Sequence, residues 1–140
     1  MTDPDDSLVQ VPAGCYELEY ASHIIKKIFN TYKLYLNLRI IDDGPYQGKI
    51  VTRYYSITMS EAGKARSRFG FGLHSDGMRE YVLLFDERPQ RRTDISIEKY
   101  KSNIFLGRIE TVTSDYKKRD KHVLLQNSKV AELVEIIESL

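Results

Sequence analysis

The sequence predicts a mainly β domain with some helix: a small five-stranded barrel, a helix between its third and fourth strands, and an extra helix at the C-terminus. Three observations predict it. The runs Lys33–Ile41 (KLYLNLRII) and Gly48–Met59 (GKIVTRYYSITM) alternate in the strand manner, and Asp42-Asp43-Gly44-Pro45 between them is rich in turn residues, so they read as a β-hairpin. Met78, Tyr81, Val82 and Phe85 have the i, i+3, i+4, i+7 spacing of one helical face. At 140 residues, with 41% hydrophobic and 29% charged residues, the chain is long enough to bury a core without disulfides or metal.

Taken in order, residues 1–12 form an acidic lead-in closed by Pro12, the barrel spans 13–127, and the C-terminal amphipathic helix occupies 128–140. The first strand runs from Gly14 to about Tyr20, with Tyr16, Leu18 and Tyr20 on one face. Ser22–Tyr32 is either a continuation of that strand or a helical turn. Leu34, Leu36, Leu38 and Ile40 of the second strand suit a core, which leaves Tyr35, Asn37 and Arg39 on the opposite face. The third strand brings Arg53, Tyr54 and Tyr55. Ala65–Gly72 (ARSRFGFG) is a short strand or a glycine-loosened loop. Ser75 and Asp76 offer an N-cap to the helix Asp76–Phe85, Pro89 closes it, and a basic loop follows. Ile104–Thr113 returns to strand alternation, Ser114–Asp120 is a charged turn, and His122–Gln126 is the last strand. Ser128 then caps a helix striped by Val130, Leu133, Val134, Ile137 and Leu140.

Composition excludes more than it assigns. Net charge is +1, but residues 61–122 hold fourteen Lys/Arg against ten Asp/Glu, a modestly basic middle that permits anionic partners. Cys15 is the only cysteine, which rules out an internal disulfide and a thiolate zinc site; it reads as a small buried hydrophobe. The three histidines stand far apart, and no nucleophile elbow, phosphate-binding glycine loop or zinc-protease motif is present. No catalytic residue, metal ligand or cofactor site is expected. With no apolar run of membrane-spanning length and no basic-then-apolar start, a cytoplasmic location without a membrane partner is the expectation.

Strand, strand, strand, helix, strand, strand is the chain order of the OB-fold, whose second and third strands form the usual ligand face. Aromatic rings interleaved with arginines on such a face stack bases and follow phosphates. The candidate nucleic-acid-binding residues are Tyr35, Asn37, Arg39, Arg53, Tyr54, Tyr55 and Phe69, with Lys117, Lys118 and Arg119 in the loop between strands four and five. Neighbours on a strand point oppositely, so only one of Tyr54 and Tyr55 can face the ligand.

Three stretches carry a resemblance: PAGCYELEY, KLYLNLRIIDDGPYQGKIVTRYYSI and FLGRIETVTSDYKKRDKHVLL. With Tyr46, Gly48 and Lys49 opening the strand that holds Arg53, Tyr54 and Tyr55, the chain resembles the small OB-fold single-stranded DNA-binding proteins of phages and other mobile elements. The resemblance implies non-catalytic binding of single-stranded DNA with little sequence preference. Two features depart from that pattern: an amphipathic segment replaces the glycine-rich, acidic-tipped tail, and Asp76–Phe85 with its basic loop is larger than a minimal barrel needs. The alternative is a protein-binding adaptor, and a homodimer through Leu133 and Ile137 of the C-terminal helix stands beside simple docking of that helix on the barrel.

Overall fold

The computed structural model describes residues 11–59, 68–89, 95–112 and 127–140. In chain order it contains β1 (Gly14–Ile28), β2 (Thr31–Ile40), β3 (Ile50–Thr58), β4 (Arg68–Phe71), α1 (Asp76–Phe85), β5 (Ile95–Ser96), α2 (Glu98–Lys101), β6 (Asn103–Val112) and β7 (Asn127–Ser139). The strands lie side by side as β5-β4-β3-β2-β1-β6-β7, each neighbouring pair antiparallel. The fold is mainly β, with few helices on a curled antiparallel sheet that makes a half-barrel. Among the described residues there are seven strands where the five-strand expectation places four: β4 and β5 are added, and β7 stands where a helix is expected. The helix Asp76–Phe85 forms as predicted, but after β4 rather than directly after the third strand.

Local chemistry accounts for most of these elements. β1 continues through Ile28, so the strand alternative holds for residues 22–28, and Ile28 pairs with Thr31 across a two-residue turn. The β2–β3 connection closes with the Gly48 N–H donating to the Ile40 carbonyl at 2.8 Å. Gly48 sits at φ 89°, a conformation that favours glycine. Ser75 caps α1, its hydroxyl accepting from the Met78 N–H at 3.1 Å. Asp86 ends the helix in the left-handed region, its N–H donating to the Val82 carbonyl.

The core lies on the concave side of the sheet. Leu18, Leu34, Leu36, Leu38, Ile40, Val51 and Ile109 are almost fully buried there. Tyr55, Phe69, Phe71, Tyr81, Phe85, Tyr100 and Phe105 pack ring against ring, with centroids 5.0–6.5 Å apart. Close approach fixes Gly77 beneath this cluster: a Cβ there would stand 2.4 Å from the Phe71 ring.

The expected C-terminal helix is instead the strand β7. Its register against β6 skips Ala131, Val134 and Ile137, a bulge at every third residue. Each bulge adds one residue and turns the two-residue period of a strand into three. Val130, Leu133 and Ile136 therefore pack into the core, while Glu132, Glu135 and Glu138 line up with the outer residues of β6. A three-residue apolar repeat lies close to the 3.6 of a helix, and the stripe imitates one. Ser128 caps nothing helical. Its hydroxyl accepts from the Val11 N–H at 2.8 Å and donates to the Val11 carbonyl at 3.0 Å, so Val11 belongs to the core although the lead-in is expected to reach residue 12. The expected last strand, His122–Gln126, lies outside the described residues.

Candidate nucleic-acid interface

The phase of β3 divides the predicted site. Val51 and Ile57 are buried, so Arg53 and Tyr55, two residues on from each, also face inward, and Tyr54 faces out. Tyr54 is 41% exposed and Tyr55 3%. Arg53 and Tyr55, expected to face a ligand, are core residues gathered around Glu80 of α1. The Arg53 guanidinium forms a buried ion pair with Glu80, the Tyr55 hydroxyl donates to the Glu80 carboxylate at 2.9 Å, and the Leu133 N–H of β7 donates to it at 3.0 Å. Burial is the largest single influence on Arg53 and works against its charge, but the Glu80 hydrogen bond together with the charges of Tyr55, Glu80 and Asp76 outweighs it and strengthens the guanidinium's hold on its proton. Burial, with neighbouring Tyr100 and Glu80, pushes the Tyr55 hydroxyl well above its ordinary range. Phe69 is fully buried in the aromatic cluster and presents no ring to a ligand. Lys117, Lys118 and Arg119 lie outside the described residues.

Tyr35, Asn37 and Arg39 do share the convex face with Tyr54. Tyr35 stands opposite Tyr54, and their rings meet edge to face with centroids 4.9 Å apart. The Lys26 ammonium lies 4.7 Å from the Tyr35 ring centre. Lys33, opposite Lys26 in the β1–β2 register, donates to the Ser56 hydroxyl at 2.6 Å. Asn37 is held from both sides, donating to Ser22 at 3.0 Å and accepting from Thr52 at 2.7 Å. Arg39 pairs with Glu19 at 2.9 Å. The result is a small platform of two tyrosines, one amide and three cations, on the wet side of β1–β3. Lys26 and Lys33 escaped the sequence reading. Lys33 is in phase with Tyr35, Asn37 and Arg39 in the strand already read, whereas the signal for Lys26 is legible only once residues 22–28 are known to be strand.

Farther across the same face the charge changes sign. Arg108 pairs with Glu132 at 3.1 Å and with Glu110 at 3.3 Å, and Glu17, Glu135 and Glu138 add carboxylates. Cys15, expected to be buried, is exposed opposite Arg108. No group of three His, Cys, Asp or Glu suited to a metal occurs among the described residues. No helix among them is long and apolar enough to cross a membrane. Neither a family model, nor a curated protein, nor a solved structure matches this chain.

Proposed function

We propose that this chain is a non-catalytic protein of OB-like architecture that binds single-stranded nucleic acid, DNA before RNA, with little sequence preference. The observation that carries the reading is the Tyr35–Tyr54 pair, solvent-facing and flanked by Lys26, Lys33 and Arg39. Every base has a π-face, so rings beside mobile cations bind strands without reading sequence. Lys26 covers one side of the Tyr35 ring, an exposed contact worth about 0.5–1 kcal/mol. A stacked base is worth roughly 1–3 kcal/mol, so it displaces the ammonium and leaves it free for a phosphate. The strand order gives further support. β3-β2-β1-β6-β7 is the neighbour order of a five-stranded Greek-key barrel, with β4, α1 and β5 as an insertion, and β3 and β7 approach each other across the core.

Anisotropy titration of the protein into labelled oligo-dT at two salt concentrations tests this reading. Tyr35→Ala and Tyr54→Ala each weaken binding by about 1–3 kcal/mol. Absence of binding by about 100 µM at low salt overturns it, since non-specific complexes ordinarily reach that affinity.

One observation favours the adaptor reading. Val134, Ile137 and Leu140 are 44–71% exposed along β7, beside the Glu132, Glu135 and Glu138 row. Leu133 is buried and offers nothing to a partner, so a homodimer contact through it is replaced by one through Ile137. Self-association insensitive to salt and abolished by Ile137→Lys would speak for that use.

A further inference from the structure

The β1–β2 turn holds Phe29 where a phenylalanine gains nothing from the fold. Ile28 pairs with Thr31, leaving Phe29-Asn30 as the two-residue turn, and Phe29 takes φ 57°. The first position of such a turn belongs to Gly, Asn or Asp, and a bulky side chain there is a conformational outlier. Phe29 is also 93% exposed, so no packing offsets the strain. Strain without internal compensation points outward.

The surroundings identify what receives the ring. From Ile24 to Lys33 the chain carries three lysines and no acid. Ile28, 37% exposed, adjoins Phe29, and Ile24 is 49% exposed farther back. Lys26 and Lys33 stand on the convex face of the hairpin, whereas Lys27 lies on the other, with its ammonium 5.6 Å from the Tyr32 ring. Beyond Glu19, β1 has no strand partner on the side away from β2 among the described residues, while β2 stays paired with β3 as far as Tyr32, so the β1 edge and the turn 28–31 are the open part of the hairpin end. A nucleic-acid strand runs along one face and would use one set of these cations. A bilayer surrounds an inserted tip and uses both. At about 3.3 Å per residue, Lys26 lies about 10 Å behind Phe29. That spacing places the lysines at headgroup level when the tip enters the 5–10 Å deep boundary of headgroups and acyl chains (about that depth in interfacial helices).

We propose that the β1–β2 hairpin tip inserts Phe29 and Ile28 into an anionic lipid surface, with Lys26, Lys27 and Lys33 as the collar that selects negative headgroups. This departs from the sequence-based expectation of no membrane partner; it shares Lys26 and Lys33 with the proposed nucleic-acid platform but is carried by Phe29 and Ile28, which that platform does not use.

Co-sedimentation of the full chain with phosphatidylcholine vesicles, with and without phosphatidylserine, tests it. The protein is expected to sediment only with phosphatidylserine present and to be released by salt. Phe29→Asn relieves the turn and removes the apolar ring. It is expected to reduce vesicle partitioning about tenfold or more while the urea midpoint stays equal or rises. Lys26→Ser and Lys27→Ser each reduce partitioning about fivefold. No sedimentation with phosphatidylserine vesicles overturns the proposal, as does unchanged partitioning of Phe29→Asn. A lower urea midpoint for that variant also overturns it, because Phe29 would then be packed within the fold. If Phe29→Asn weakens oligo-dT binding and the vesicles stay bare, the tip belongs to the nucleic-acid surface and the lipid proposal fails.

Discussion

Glu80 holds together three elements that are distant in sequence. Its carboxylate accepts from Arg53 and Tyr55 of β3 and from the Leu133 N–H of β7, at the seam where β3 and β7 approach across the core. Both charged side chains are nearly buried, 9% and 3% exposed. A buried ion pair is a poor source of net stability, because desolvation offsets most of its Coulomb attraction, but removing one partner strands the other. Glu80→Ala is therefore expected to lower unfolding stability by about 3–5 kcal/mol in urea titration, leaving Arg53 uncompensated and the Tyr55 hydroxyl and Leu133 N–H without their acceptor. A loss below about 1 kcal/mol would mean that water reaches the seam and Glu80 is not the closure. Nearby Tyr100 is fully buried, and its hydroxyl has no hydrogen-bond partner among the described residues.

At the scale of elements, β7 shows where a sequence pattern misleads. Val130, Leu133 and Ile137 fit a helical stripe, yet Leu133 points into the core and Ile137 is skipped by the ladder. The two readings separate by mutation. On one helical face, Leu133 and Ile137 would be equivalent. On the bulged strand, Leu133→Ala costs about 2–5 kcal/mol as a core truncation. Ile137→Ala there stays within about 0.5 kcal/mol. Similar losses at both positions in urea titration would refute the strand. β2 and α1 were legible because each has a single undistorted period and a clear boundary signal: Asp42-Asp43-Gly44-Pro45 after β2, and Ser75 as N-cap before α1. Which of Tyr54 and Tyr55 faces outward stayed open in the sequence; the inward phase of Val51, Arg53, Tyr55 and Ile57 in the structure assigns it to Tyr54. What could not be read was why Arg53 tolerates burial. That depends on Glu80, a partner 27 residues away, which no local pattern announces. Phe69 was misplaced for a similar reason: its flanking glycines suggest a mobile flap, whereas Tyr100 and Phe71 enclose it.

At the scale of the whole molecule, the convex face is divided rather than uniformly basic. Tyr35, Tyr54, Lys26 and Lys33 occupy one side, and Glu132, Glu135 and Glu138 the other, with Arg39–Glu19 between them. A polyanion lying across the entire sheet would meet the glutamate rows, so the platform suits a short footprint confined to β1–β3. The division sets the salt dependence. Two to three cations on the described platform release about as many counterions, so log affinity should fall against log salt with a slope of about −1.4 to −2.1. Over a roughly fourfold rise in salt, that is a loss of about seven- to twentyfold. Oligo-dT titrations across a salt series measure it directly, and Lys26→Ser or Lys33→Ser should each flatten the slope by about 0.7. A slope of zero with binding intact would remove the phosphates from the mechanism. A slope steeper than about −3 would require more cations than the platform holds. Lys117, Lys118 and Arg119 would then be the first residues to neutralise, and a return of the slope to about −2 in that triple variant would assign them the difference.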